Sequence, residues 1–197
     1  INKSLKRYLP GPLMISVLMG IHRFDKYVLP AIWSILNQEG VVFELVIVAN
    51  GANAAAIAGS IFEEFPNESR LRLLQTPIGQ LAHALNVALS SARYEYIARM
   101  DADDVSHPDR LRRQLEFIRN TGCDVVGSAA RLIDVDGRVI GQRNSPARAA
   151  INRTLPFKNC FIHPTVMARR KKIVEVGGYN AGFNSEDYDL WLRLRRI

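Results

Sequence analysis

Apolar positions recur along this chain in two alternating rhythms. Residues 13–19 and 43–49 form nearly continuous apolar runs, as strands covered on both faces do. Residues 71–75 and 94–100 predict a third and a fourth strand. Between them the period lengthens to that of a helix. Residues 27–36 place apolar side chains at 28, 32, 35 and 36, with Pro30 in the first turn. Residues 54–65 read as a helix stopped by Pro66, and Leu81, Leu85, Ala88, Leu89 and Ala92 mark one face of another. Residues 108–120 turn Leu111, Leu115 and Ile118 inward. Strand and helix thus alternate four times, which predicts an α/β fold with a mostly parallel central sheet flanked by helices.

The rhythm then changes. Residues 125–133 and 138–141 flank Asp136-Gly137, a hairpin signal. Helices are expected at residues 147–155, at 170–176 with Gly177-Gly178 closing the end, and at 186–197; residues 164–168 predict a strand. The second part is therefore smaller and mixed or antiparallel. All 197 residues are expected in one domain, with 1–12 as a polar lead-in and halves at about 13–120 and 121–197. The sequence opens on Ile1 and stops at Ile197 inside a predicted helix, so a fragment of a longer protein is expected, cut short on its second half.

Asp101-Ala102-Asp103-Asp104 puts three carboxylates into four residues just after the fourth strand. In open α/β sheets ligands bind at the carboxyl edge of the strands. Massed like charges there call for a positive partner. A hard divalent cation fits, because Mg²⁺ takes one or two carboxylates and fills its other positions with waters and phosphate oxygens. The plain alternative is an acidic loop leading into a helix. Ser106 with Asp109 three residues on is expected to cap that helix, which leaves Asp101, Asp103 and Asp104 unneeded for the cap.

A second acidic group, Glu186, Asp187 and Asp189, opens the last predicted helix just beyond a Gly/Asn-rich loop. Acids in the first turn and Arg193, Arg195 and Arg196 in the last suit the helix dipole with no further role. The flanking Tyr188 and Trp191 leave a second reading open, a carboxylate in a cleft serving as general base.

Composition narrows the classes. No apolar run approaches the ~18–20 residues of a membrane span, and no signal peptide is visible. The two cysteines, Cys123 and Cys160, match no zinc or redox spacing and read as reduced, buried thiols of a cytosolic protein. The net charge of +7 gathers at Lys3, Lys6 and Arg7, at Arg110, Arg112 and Arg113, at residues 169–172 and at the last helix, and favours anionic partners or plain solubility. After the first strand stands His22-Arg23-Phe24-Asp25 rather than a Gly-rich fingerprint or a P-loop lysine, which disfavours dinucleotide enzymes and P-loop NTPases.

The order of several pieces carries a resemblance. They are Ile15-Ser16-Val17-Leu18-Met19, the stretch from Ala31 to Gln38, Phe43-Glu44-Leu45-Val46-Ile47-Val48, Ala84-Leu85-Asn86, and the run from Glu95 to Asp104. Phe161-Ile162-His163-Pro164-Thr165-Val166-Met167, Val176-Gly177-Gly178-Tyr179 and Glu186-Asp187-Tyr188-Asp189-Leu190-Trp191-Leu192-Arg193 complete the set. Together they resemble the family 2 glycosyltransferases, the inverting group with the GT-A fold. The resemblance implies a nucleotide-binding first half and an acceptor-side second half. It implies a nucleotide-sugar donor across the strand ends, with Asp101-Ala102-Asp103 as the DXD motif, Asp103 and Asp101 the ligands of Mn²⁺ or Mg²⁺, and Asp187 the catalytic base. Gly20, His22, Asn50 and Asn86 are expected on the nucleotide-sugar side, and His163, Glu186 and Trp191 on the sugar or acceptor side. For His163 a bond to a nearby carbonyl, and for Asn86 a bridge between loops, stay open; Arg99 is expected to pair with the acids.

The family commonly carries two aspartates after the second strand, where Ala49 and Asn50 stand here, and a proline and an aromatic after the first, where Gly20 and His22 stand. A donor other than a uridine one, weaker donor binding and a different contact all remain open. The resemblance further implies a glycan or lipid-linked acceptor, surface-polysaccharide assembly, and a cytoplasmic enzyme whose basic surface suits the inner membrane face. No nucleic-acid partner is expected, since the aromatic residues form no stacking platform. The rival readings are a nucleotidyltransferase, which lacks its glycine-rich lysine loop, and a non-catalytic module docking on nucleic acid or membrane.

Overall fold

The computed structural model describes residues 14–180 and 185–197. The expected lead-in and residues 181–184 of the Gly/Asn-rich loop lie outside the described residues. In chain order the elements are β1 (Met14–Ile21), α1 (Val28–Leu36), β2 (Val42–Asn50), α2 (Ala54–Glu64), β3 (Leu71–Thr76), α3 (Leu81–Ser91), β4 (Tyr96–Arg99) and α4 (Arg110–Thr121). There follow β5 (Val125–Val126), β6 (Ala130–Ile133), β7 (Val139–Arg143), α5 (Arg148–Thr154), β8 (Met167–Arg169), α6 (Arg170–Glu175) and α7 (Glu186–Leu194).

The main sheet runs β3-β2-β1-β4-β8-β5. Its first four strands are mutually parallel, and β8 joins β4 and β5 antiparallel. The fold is thus the expected α/β one. Alternation along β1 divides the core between two layers. Ile15, Val17, Met19 and Ile21 face Ile32 and Ile35 of α1, Ile57 and Ile61 of α2, and Leu111 and Ile118 of α4. Leu18 faces the other way, with Leu85 and Leu89 of α3, Ile173 of α6 and Leu190 and Trp191 of α7. Both sheet faces are covered, which is why β2 reads as one apolar run. No helix among the described residues is long and apolar enough to cross a membrane.

Buried Glu44 interrupts that run on β2. It accepts hydrogen bonds from the Ser16 hydroxyl at 2.7 Å, the Arg93 backbone N–H at 2.8 Å and Arg72 Nη1 at 3.0 Å. Burial alone would raise its carboxyl, but the bonds from Ser16, Arg93 and Arg72 outweigh it and hold the group below the usual range. A depressed folded-state value means that Glu44 contributes stability in full above its unfolded value of about 4.5. That contribution disappears as pH falls through the lower folded value. Urea midpoints measured downward from neutrality should therefore drop more steeply below pH ~4.5 for the wild type than for Glu44→Gln.

Three local expectations are corrected. The predicted strand at 125–133 breaks in two. Val125 and Val126 stay at the edge of the main sheet, while Ala130–Ile133 pairs, among the described residues, only with β7. The chain leaves the sheet at Gly127, where a Cβ would come within 2.9 Å of Phe161, and the Thr165 hydroxyl takes the Ser128 N–H. Ser106 does not cap α4, which begins at Arg110. Its N–H donates to Ser34 and its hydroxyl accepts from Gln38, contacts distant in sequence that outcompete the local cap. The expected strand at 164–168 is a 3₁₀ turn, His163–Thr165, followed by β8, because proline has no N–H for a sheet ladder. Of the two free thiols, Cys160 is buried and Cys123 only partly so.

Candidate active site

The parallel strands end at one edge. His22 follows β1 there and is exposed. Gly20 lies one turn of the pleat earlier, opposite Val48, and a Cβ on it would meet Leu81 at 3.1 Å, so glycine lets α3 approach β1 closely. Asn50 closes β2, buried, with an Oδ1 that has no hydrogen-bond partner among the described residues.

After β4 the backbone passes buried Met100 and turns through Asp101, Ala102 and Asp103. Beneath the acids lie two guanidinium groups. Arg99, 3 % exposed, donates from Nη2 to Asp101 Oδ1 and from Nη1 to the Met100 carbonyl. Arg110, counted with the surface charge from sequence, turns inward instead. Its Nη1 donates to the carbonyls of Arg99 at 3.1 Å and Pro164 at 2.7 Å, stitching the end of β4 to the 3₁₀ turn. Burial pulls its guanidinium down to about 10, with Asp104 opposing and Arg99 adding to the fall. Above them, burial of the carboxyl, then repulsion from Asp101 and Asp103, raises Asp104. Negative charge is thus in excess on the loop. Asp103 is exposed and has no ion-pair partner among the described residues, and Ala102 packs back against the core.

No group of three or more His, Cys, Asp and Glu side chains converges on a metal position among the described residues. Mg²⁺ and Mn²⁺ held largely by phosphate and water do not require one. Unpaired Asp103 and the carboxylate oxygen of Asp101 not used by Arg99 suit such an ion, so the residues present fit it.

The second acidic group heads α7. Asp187 Oδ2 accepts from Asn159 Nδ2 at 2.8 Å and Oδ1 from the Tyr188 N–H at 2.7 Å, which fixes the carboxylate at the helix start. Asp189 is engaged by Arg193, whose Nη groups also reach the carbonyls of Val176 and Gly178. Between the two acidic groups stands an aromatic wall. The His163 ring lies 5.5 Å from that of Tyr179 and 6.1 Å from that of Trp191, and its Nε2 lies 3.3 Å from the Tyr179 hydroxyl. Burial, reinforced by Arg99, pushes His163 well below its usual range, so the ring is neutral at pH 7. Burial likewise pushes the Tyr179 phenol up; Arg99 opposes this, while Asp187, Glu186 and Asp101 add to it. Charges from both acidic groups therefore act on one phenol.

The remaining expected site residues lie one layer back. Trp191 is 2 % exposed and packs on Phe161 at 5.3 Å, beneath the acceptor side rather than lining it. Asn86 bridges loops: its amide donates to the Tyr179 carbonyl at 2.7 Å and accepts from the Tyr179 N–H at 2.8 Å. The Gly177-Gly178 end of α6 closes with Gly177 N–H on Val174 and Gly178 N–H on Ile173, both with positive φ, as expected. A Cβ on Gly178 would stand 2.6 Å from Asn86 Oδ1. Gly178→Ala should therefore cost about 1–3 kcal/mol, from its φ of +74° and from this clash, read as a lower urea midpoint at unchanged slope. Sequence alone gives Arg110, Asn159 and Tyr179 no role at the site; the available signs are the proximity of Arg110 to the acids and the place of Tyr179 at the end of the Val176–Tyr179 piece.

The chain is similar to known proteins in family and in fold. A family model described as glycosyl transferase family 2 matches residues 16–178. The O-antigen biosynthesis glycosyltransferase WbnJ of Escherichia coli is 47 % identical over 181 residues, covering 92 % of this chain and 71 % of the relative. The putative glycosyltransferase EpsE of Bacillus subtilis is 32 % identical over 191 residues, covering 93 % of this chain and 66 % of its own. Among solved structures, S. aureus TarS 1–349 in complex with UDP-GlcNAc superposes with a TM-score of 0.70 at 21 % identity, over 93 % of this chain and 53 % of that one. The mannosyltransferase PcManGT of Pyrobaculum calidifontis, in complex with GDP-Man and Mn²⁺, gives 0.66 at 17 % identity over 91 % and 51 %. The chain thus spans about half of these neighbours, and its fold is of the GT-A type.

Proposed function

Because the chain belongs to glycosyl transferase family 2, we propose that it moves a sugar from a nucleotide-diphosphate donor to a hydroxyl of a glycan or lipid-linked acceptor, with inversion at the anomeric carbon. The observation that carries the reading is the family match over residues 16–178, and it is supported by Asp101 after β4 and Glu186 and Asp187 of α7 all acting electrostatically on the buried Tyr179 phenol. The donor lies at the strand edge, near Gly20, His22 and Asn50. Asp103 and Asp101 would hold Mn²⁺ or Mg²⁺. When bound, that ion supplies positive charge against the departing diphosphate.

Asp187, oriented by Asn159, takes the proton of the acceptor hydroxyl. The hydroxyl oxygen forms its bond to the anomeric carbon as the bond to the diphosphate breaks on the opposite face, and the nucleoside diphosphate leaves. Neutral His163 and the Tyr179 phenol stiffen the wall between the two acidic groups. The name of the E. coli relative supports a role in surface-polysaccharide assembly, which takes place on the cytoplasmic side of the membrane in this reading.

The test is a thermal-shift panel of UDP, GDP, dTDP and CDP with and without Mn²⁺. A ligand at about 100 times its dissociation constant adds about 2.7 kcal/mol. One nucleotide raising the midpoint only with the metal is the expected result. No shift with any of them would count against the reading.

A further inference from the structure

We propose that the β6–β7 hairpin docks this chain on a membrane surface rich in anionic lipid. Five of the large apolar side chains exposed among the described residues crowd into this one hairpin: Leu132, Ile133, Val135, Val139 and Ile140, the third at 72 % and the last at 68 %. The two strands pair with each other and with no strand of the main sheet. A two-stranded ribbon without a second layer has no core in which to place these side chains, and an apolar cluster of this kind marks a contact surface.

The hairpin holds the cluster out stiffly. Asp134 Oδ1 accepts the N–H groups of Asp136 and Arg138, each at 2.9 Å, and Gly137 makes the turn at a φ of +80°. Asp136 pairs with Arg138 at 3.3 Å, and the Asp134 carboxylate is held against its own backbone, which leaves the strand and α5 arginines in excess around the cluster. Arg131 and Arg143 on the strands, and Arg148 and Arg153 on α5, are exposed and have no ion-pair partner among the described residues.

Apolar side chains projecting among unpaired arginines complement a lipid interface with acidic headgroups. A second copy of this chain would set arginine against arginine, which opposes self-association. The hairpin has no aromatic side chain to stack a base, which disfavours nucleic acid. Its connection to the site gives the docking a purpose. Past β7 and α5, the Leu155 carbonyl accepts from the Tyr188 hydroxyl at 2.8 Å, and Asn159 Nδ2 donates to Asp187. Docking here would hold the acceptor side of the cleft at the lipid surface. This deepens the proposed function by selecting a lipid-linked acceptor, and it rests on that reading for its purpose but not for its test.

The chain is sedimented with extruded vesicles of phosphatidylcholine alone and of an equal mixture of phosphatidylcholine and phosphatidylglycerol. Binding to the mixture and not to phosphatidylcholine alone is expected. V139S/I140S should weaken it by about tenfold or more, and Arg131→Gln and Arg143→Gln by roughly fivefold each, with a steeper loss in salt for the wild type. Both sets should keep the wild-type melting temperature and nucleotide-induced shift, so lost binding cannot be lost folding. Failure of the transferase reading would appear in the nucleotide shift and leave the vesicle result standing. Equal partitioning of wild type and V139S/I140S, or no binding to the acidic vesicles, overturns the proposal. So does a concentration-dependent dimer in gel filtration that V139S/I140S abolishes, which would make a second copy the occupant.

Discussion

Asp187→Asn is expected to lower sugar transfer by about 10²–10⁴-fold while leaving nucleotide binding intact. Asparagine keeps the shape of the carboxylate and can still accept from the Tyr188 N–H, so α7 should start as before. It loses the charge and basicity needed to take a proton from the acceptor. The hydrogen bonds to the Asp187 carboxylate come from Asn159 and the Tyr188 N–H, not from the groups assigned to the donor, so removing its charge should leave those groups in position. Initial rates of labelled-sugar transfer to an envelope-derived acceptor at saturating donor, set beside calorimetric titration of the nucleoside diphosphate with Mn²⁺, check both halves. A rate within about tenfold of wild type would remove Asp187 from the base role; loss of nucleotide binding in this variant alone would move it to the donor side.

Asp103→Ala should have the opposite profile, with metal-dependent nucleotide affinity falling by at least about 100-fold and thermal stability without ligand unchanged. Asp103 is exposed and no cation pairs with it among the described residues, so its loss leaves no buried group unpartnered. Asp101 is the instructive contrast. It is the ion-pair partner of Arg99, whose guanidinium is 3 % exposed and whose Nε already lacks a partner among the described residues. Asp101→Ala would leave that buried charge uncompensated and should lower stability as well as nucleotide affinity. Melting temperatures with and without nucleotide separate the two aspartates: a ligand-free loss is expected for Asp101→Ala alone.

What the sequence made legible was whatever depends on local period. Strands β1 to β4 and helices α1 to α4 follow from apolar runs and from spacings such as Leu111, Leu115 and Ile118, and their boundaries lie within a residue or two of those expected. The placement of Asp101–Asp103 at the strand edge, and of Asp187 at a helix start, follows from the same periods. What escaped depends on contacts between distant segments. Ser106 has the residue type and spacing of a cap, yet Ser34 and Gln38, about seventy positions earlier, engage it. Gly127 breaks the run at 125–133 because Phe161 leaves no room for a side chain. Arg110 looks like a surface cation until Pro164 folds over it. Asn159 and Asn86 differ in no local respect from loop or helix-surface asparagines; their roles exist only once Asp187 and Tyr179 are beside them.

The central claim is that the acids after β4 and those opening α7 form one site around a metal-bound nucleotide. Paramagnetic broadening by Mn²⁺ measures this most directly. With a nucleoside diphosphate present, Mn²⁺ titrated into ¹⁵N-labelled protein should broaden the amide signals of residues 101–104 first and those of residues 186–188 with them. Asp103→Ala should abolish both. Broadening that leaves residues 186–188 sharp, or that gathers at a part of the surface away from the strand edge, would contradict the account.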